Sequence, residues 1–235
     1  MSYAAPKKMK YGRSAIVCLA ADLNRAATSR NVKRLLAGDD ADDVTLFLAG
    51  APVNLEAFFS VVVDGLPNRL IIVAHGNAGS TILADGTTLN ARRYAPEELA
   101  GLVWQWTGGY RIGTVSLDAC YSGGNKGNGV EGNFDTWTVQ PGQSFAFAFA
   151  AFMGQVGQVT ARTDWGTTHY LASHGEGGRA EGDMPSYNSV AGRYHALWDK
   201  IIITPNAAAR RNNRVDPSPT IQTKGTPGAM PPQPV

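Results

Sequence analysis

Two apolar segments of the chain each end abruptly at a residue that carries chemistry. The first is Arg69–Gly76 (RLIIVAHG), which ends in His75 and a glycine. The second is Ile112–Cys120 (IGTVSLDAC), which ends in an acid, an alanine and a thiol. Short apolar runs rich in β-branched residues predict buried strands, and the interval between the two leaves room for a helical crossover. We therefore expect two parallel strands of one sheet, each ending at one reactive side chain.

The remaining segments alternate between strand patterns and helix patterns, which predicts a three-layer α/β/α domain. Strands are predicted over Ser14–Asp22, Asp43–Ala49, Arg69–Ala74, Ile112–Leu117 and Gln158–Asp164. Helices are predicted over Asn24–Leu36, Val53–Leu66, Ala95–Trp106 and Ser144–Gln155. In the last of these, phenylalanine alternates with alanine, a period typical of a strand, but the alanine content and the βα order favour a helix.

Turn and loop patterns divide the rest of the chain. Asp85-Gly86 predicts a hairpin within Thr81–Leu89, and the Gly- and Asn-rich stretch from Tyr121 to Gly142 predicts a long loop. Thr167–Ser173 and Asn188–Ile203 predict a late β-hairpin or flap. The expected domains are an arm over 1–13, a folded domain over 14–204, and a disordered or extended Pro-rich tail over 205–235 that offers a docking segment to a partner.

Composition excludes several classes of protein. The 235 residues are 43% hydrophobic and 17% charged, which is typical of a globular domain. A net charge of +2 does not favour nucleic-acid binding. With only two cysteines there is no disulfide framework, and without a long apolar stretch no membrane span is expected. The first residues do not make a signal peptide, so we expect a cytoplasmic protein or one exported by a signal-independent route.

A thiol and an imidazole at two strand ends are a candidate nucleophile and acid/base pair. Taken singly, His75 is more often a structural strand-end histidine, and Cys120 a small buried side chain. Their matched placement, each with glycines close by, favours catalysis instead. The backbone N–H groups of Gly76 and Cys120 are the candidate oxyanion donors. His169 and His174 lack a third ligand at metal spacing, so no metal is expected.

The two segments resemble the paired signatures of the caspase-like cysteine peptidases. The resemblance rests on an apolar strand before His75-Gly76 and another before Asp118-Ala119-Cys120-Tyr-Ser122-Gly123. It implies a caspase-haemoglobinase fold in which His75 and Cys120 form a catalytic dyad. Within the group, Asp-x-Cys-x-Ser-Gly is similar to metacaspases and orthocaspases. The wider layout over roughly residues 14 to 203 resembles the self-processing cysteine protease domain of large bacterial toxins.

The two likenesses imply different specificities. The metacaspase pattern implies that Asp118 lines the primary pocket and selects arginine or lysine, with Asp164 as a second acid. The alternative for Asp118 is a structural acid that accepts backbone hydrogen bonds. The toxin domains imply a preference for leucine and activation by inositol hexakisphosphate on a basic flap. That region holds only three basic residues, so no cofactor is expected to be required, and both calcium and inositol hexakisphosphate are left open as activators without support from the sequence. The basic residues are Arg179, Arg193 and Lys200.

The leading interpretation is therefore an endopeptidase that cleaves a protein or peptide after a basic residue. A first alternative is a silent binding or adaptor module of the same fold that uses the Pro-rich tail. A second is a delivered, toxin-like effector protease that cleaves after leucine. For an enzyme that cleaves after a basic residue, Lys126, the basic residue of the loop from Tyr121 to Gly142, is the candidate site of self-cleavage.

Overall fold

The structure is a computed structural model that describes much of the chain. The described residues are 11–19, 44–48, 53–77, 80–110, 112–119, 121–126, 137–139, 141–160, 169–173, 200–204 and 220–223. The strands are β1 Ser14–Cys18, β2 Val44–Leu48, β3 Arg69–Val73, β4 Leu83–Ala84, β5 Arg93–Tyr94, β6 Thr114–Asp118, β7 Asn125–Lys126, β8 Trp137–Val139, β9 His169–Ser173, β10 Lys200–Thr204 and β11 Thr220–Thr223. The helices are α1 Glu56–Phe59, α2 Pro96–Thr107 and α3 Phe145–Thr160, with a 3-10 turn at Pro141–Gln143.

Seven strands form one sheet in the order β11-β10-β9-β6-β3-β1-β2. Five neighbouring strands, β2, β1, β3, β6 and β9, are parallel to one another. β10 is antiparallel to β9, and β11 is antiparallel to β10. Two small antiparallel pairs, β4–β5 and β7–β8, lie outside this sheet. The predicted α/β class is confirmed, since a largely parallel sheet is combined with helices in the crossovers.

The core lies between one face of the sheet and α2 and α3. Alternate residues of β3 and β6, such as Leu70, Ile72 and Leu117, pack in one buried cluster with helix residues including Leu99 and Phe145. The intervening residues are also buried, and this explains why β3 is apolar from Leu70 to Val73 and why the polar residues of β6 within the sheet are small. The helix predicted over Asn24–Leu36, a candidate for the second helical layer, lies outside the described residues.

The helix predicted over Val53–Leu66 is mostly wrong, because α1 has only the four residues Glu56–Phe59. Three consecutive valines follow at 61–63, and β-branched side chains lose rotamer freedom in a helix. Asp64 and Gly65 then adopt positive φ angles of 52° and 67°, which a right-handed helix cannot contain. Val62 is consequently 65% exposed instead of facing the core.

The strand predicted over Gln158–Asp164 is wrong where the structure describes it. Helix α3, predicted correctly over Ser144–Gln155, continues through Gln158 to Thr160. Extending an existing helix adds a hydrogen bond for each residue fixed, and this outweighs the modest strand preference of valine and threonine. The neighbour of β6 in the sheet is β9, which also forms the predicted late hairpin with β10.

Two short pairings occur in segments that are predicted to be a loop and a disordered or extended tail. β7 and β8 pair within the Gly- and Asn-rich stretch from Tyr121 to Gly142. β11 pairs with β10, so Thr220–Thr223 of the Pro-rich tail is an extended strand of the main sheet. The sequence of β11, Thr-Ile-Gln-Thr, is rich in β-branched residues and contains no proline, so every backbone N–H can join the ladder.

Helix α2 confirms the start and stop signals of its sequence. Pro96 lies in the first turn with Glu97 and Glu98, which complement the helix dipole. Gly108 ends the helix in the left-handed conformation with φ of 59°, and its N–H binds the Gln105 carbonyl. A glycine at this position avoids the steric cost that a Cβ imposes on positive φ.

Two glycine-to-alanine substitutions in this helix are expected to change stability in opposite directions. A Cβ added at Gly101 would meet no other part of the protein within 4 Å, so Gly101→Ala should stabilise the protein by roughly 0.5–1 kcal/mol through helix propensity. Gly108→Ala should cost roughly 1–2 kcal/mol because of the left-handed backbone. Urea denaturation measures both, and effects of the same sign would contradict this account of α2.

Candidate active site

The two predicted strand ends meet at one edge of the sheet. β3 and β6 are adjacent and parallel, and their last residues Val73 and Asp118 are register partners. His75 follows two residues after Val73, and in the sequence Cys120 follows two residues after Asp118. Adjacent strands lie about 4.8 Å apart. Cys120 itself lies outside the described residues, whereas its chain neighbours Ala119 and Tyr121 are described.

His75 is held by its backbone against the β4–β5 hairpin. Its N–H donates to the Ala84 carbonyl at 2.9 Å, and the Ala84 N–H donates to the His75 carbonyl at 2.8 Å. This isolated antiparallel bridge leaves the histidine half-buried just beyond the end of β3. The next residue, Gly76, is also half-buried, and its N–H has no backbone acceptor within the part of the chain that the structure describes.

The turn after β6 is fixed on both sides by hydrogen bonds of Ser122. The Ser122 N–H donates to the Ala119 carbonyl at 3.3 Å, and its hydroxyl donates to the Leu117 carbonyl at 3.4 Å. The Ser122 carbonyl accepts a hydrogen bond of 2.8 Å from the N–H of Ala146 in the first turn of α3. Tyr121 has a positive φ of 55°, as a sharp turn requires.

The N-terminus of α3 therefore contacts the turn at Tyr121–Gly124. Ser144 caps the helix, since its Oγ accepts a hydrogen bond from the Phe147 N–H at 3.3 Å. Both Ser122 and Ser144 are almost completely buried. The N-terminal end of a helix carries partial positive charge, which favours an anion nearby and lowers the pKa of a neighbouring thiol.

Neither serine was identified as a site residue from the sequence. Ser122 was noted only as part of the Asp-x-Cys-x-Ser-Gly pattern, and Ser144 only as the start of a predicted helix. The sequence contains one local signal for Ser144, since a serine directly before an apolar helical run is a common N-cap. The contact of α3 with Ser122 joins segments distant in the chain, and no local pattern contains it.

The other predicted site residues fall in different places. Asp118 is the last residue of β6, at the same sheet edge as His75, whereas Asp164 lies outside the described residues. Lys126 is in β7 and pairs with Trp137 of β8. His169 is the first residue of β9 and pairs with Thr114, the first residue of β6, so it lies at the opposite edge of the sheet from His75.

Within the described residues, no group of three or more His, Cys, Asp or Glu side chains is arranged to hold a metal ion. Among the same residues, no helix is both long enough and apolar enough to cross a membrane.

In comparisons with known proteins, no family model matches the chain, and no curated protein matches it either.

Proposed function

We propose that the protein is a cysteine endopeptidase with a caspase-haemoglobinase-like, three-layer α/β/α domain. The observation that carries the proposal is the register of β3 and β6, which pairs Val73 with Asp118. In an open parallel sheet, reactive residues collect beyond the carboxyl ends of the strands. A histidine two residues after one of these strand ends and a cysteine two residues after the other suit a dyad.

The proposed reaction proceeds through an acyl-enzyme. The thiolate of Cys120 attacks the peptide carbonyl carbon, and the oxyanion that forms accepts hydrogen bonds from the N–H groups of Gly76 and Cys120. The imidazolium of His75 donates a proton to the leaving amine as the C–N bond breaks. Water, deprotonated by His75, then attacks the thioester carbon and releases the acid and the thiolate. No cofactor takes part in these steps.

The proposed substrate is a protein or peptide segment with arginine or lysine before the cleaved bond. Asp118 supports this because it ends β6 at the same sheet edge as His75. A partly desolvated carboxylate forms charge-assisted hydrogen bonds with a cationic side chain, and these are stronger than neutral ones. Asp164 is proposed as a second acid of this pocket. Leucine is the alternative specificity, and Lys126 is the proposed site of self-cleavage.

The direct test is alkylation of the folded protein combined with a peptide assay. Iodoacetamide should label Cys120 rapidly and stop hydrolysis of an Arg-terminated fluorogenic peptide, with a Leu-terminated peptide assayed in parallel. Cys18 is an internal control, because this thiol is buried in β1 and only 2% exposed. Peptide mapping identifies the labelled cysteine. Hydrolysis that persists after complete labelling of Cys120 would refute the proposal. A folded protein that hydrolyses neither peptide would favour the alternative of a binding or adaptor module.

The role of Asp118 can be separated from that of a structural acid. Asp118→Asn should lower kcat/KM for the Arg-terminated peptide by about 10- to 100-fold, the value of one charge-assisted hydrogen bond. Hydrolysis of the Leu-terminated peptide should change by less than about threefold. An acid that only orders the turn would instead lower kcat/KM for both peptides equally.

A further inference from the structure

The β4–β5 hairpin connects His75 to the body of the domain. At one end, Ala84 of β4 forms both hydrogen bonds of the bridge to His75. Within the hairpin, Leu83 pairs with Tyr94, and both side chains are buried in the core cluster. The hairpin is therefore anchored in the core on one side and bonded to the His75 backbone on the other.

A network of hydrogen bonds and one ion pair connects the two sides of the hairpin and attaches them to α2. The Arg92 N–H donates to Asp85 Oδ1 at 2.8 Å, and the Asp85 N–H donates to the Arg92 carbonyl at 3.0 Å. The Arg92 guanidinium forms an ion pair with Glu98 in the first turn of α2 at 2.7 Å. It also lies over the ring of Tyr94, 4.8 Å from the centroid. These contacts hold β4 in one place relative to α2.

We infer that this hairpin is the positioning element of His75, with Arg92 as its positioning residue. The inference rests on the proposed function, and it assigns a role to residues that do not touch the substrate. β3 ends its ladder with β6 at Val73, and beyond that point the N–H and the C=O of His75 are both bonded to Ala84. The direction in which the imidazole leaves the sheet edge follows from that bridge.

Weakening the attachment of the hairpin at Arg92 should affect turnover more than stability. A general acid/base displaced by about 1 Å can lose about 100-fold in rate. In contrast, the Arg92–Glu98 pair is exposed, with side chains 56% and 42% accessible, and such pairs contribute little to folding. Turnover is expected to fall about 10- to 100-fold when the bridge is opened and about 2- to 5-fold when only the Arg92 side chain is removed. The smaller effect is expected because the hydrogen bonds between Asp85 and Arg92 use the Arg92 backbone and remain in Arg92→Ala.

The chain offers a matched pair of proline substitutions within this one hairpin. Ala84→Pro removes the N–H that binds the His75 carbonyl. Leu89→Pro is the control: Leu89 is 92% exposed and follows Thr88, whose carbonyl accepts the Ala91 N–H. That hydrogen bond closes a four-residue turn in which Leu89 is the second residue, where proline is favoured. Arg92→Ala is a third variant, and it introduces no proline.

The experiment measures kcat and KM of the full chain with the Arg- and Leu-terminated peptides. Ala84→Pro should lower kcat at least about 10-fold with KM within about threefold, Arg92→Ala should lower it about 2- to 5-fold, and Leu89→Pro should leave it unchanged. If Ala84→Pro does not fold, Arg92→Ala against Leu89→Pro decides the matter. Unchanged kcat in folded Ala84→Pro, or equal losses in both proline variants, would overturn the inference.

Amide hydrogen exchange of His75 separates this inference from the proposed function. A wild-type protein that hydrolyses neither peptide refutes the peptidase proposal but leaves the exchange measurement intact. Ala84→Pro keeps the carbonyl that accepts the His75 N–H, so loss of His75 amide protection in this variant reports that the whole bridge has opened. That loss, with protection retained in Leu89→Pro, would still support the positioning role. Equal protection of that amide in both variants would refute the role, whatever the activity.

Discussion

Replacing Cys120 by alanine is expected to abolish peptide hydrolysis, and replacing His75 by alanine to lower kcat by about 100- to 10,000-fold. Without the thiol there is no acyl-enzyme, so the reaction loses its nucleophile. Without the imidazole the leaving amine departs unprotonated, and general acid–base catalysis is typically worth this range of rate. Initial rates with the Arg-terminated peptide, taken with an active-site titration of the thiol, measure both losses.

Matched controls exist for both substitutions. Cys18→Ala removes the other cysteine of the chain, which is buried in β1, and should keep most of the activity. Asn77→Ala changes an exposed side chain two residues after His75 and should change kcat by less than about twofold. Activity that survives Cys120→Ala, or that is lost equally in Cys18→Ala, would rule out the dyad.

The strand ends of the candidate site were predictable because their signals are local. β3 is an almost continuous apolar run and β6 is rich in small and β-branched residues, and both end just before a chemically reactive side chain. Helix α2 was equally predictable, since Pro96 and Gly108 mark its two ends. Each of these features depends on backbone preferences of a few neighbouring residues, which the sequence shows directly.

The features that failed or were missed depend on contacts between distant segments. β9 is the neighbour of β6, and the length of α3 decides where the chain becomes available to form it. The bridge from Ala84 to His75 and the hydrogen bond from Ala146 to Ser122 involve only backbone atoms. No particular residue type in the sequence therefore indicates them. Strand pairing and turn anchoring of this kind are settled by tertiary packing rather than by local preference.

The second large effect is expected from truncating a core side chain of α3. Phe149 is fully buried and its ring stacks on that of Phe145, with centroids 6.1 Å apart. Phe149→Ala should destabilise the fold by about 3–5 kcal/mol through lost burial and the cavity left behind. For a protein of this size the loss lowers the Tm by roughly 10 °C. Urea denaturation and calorimetry measure the two quantities.

Phe147→Ala is the control, because Phe147 lies in the same helix but is only half-buried. It should cost no more than about 1–2 kcal/mol, since less apolar area is lost from the core. Equal destabilisation by the two variants would contradict the orientation of α3 described above.

The buried thiol of Cys18 supplies an independent readout of the same loss. This thiol is only 2% exposed, so iodoacetamide reaches it through global opening, and its labelling rate follows the unfolded fraction. In Phe149→Ala that rate should rise by about 150- to 5,000-fold, the equivalent of about 3–5 kcal/mol. Labelling of Cys120 should rise far less if this thiol already reacts in the folded protein. A parallel rise at both cysteines would mean that Cys120 is protected by the fold, and it would count against a ready nucleophile beside His75.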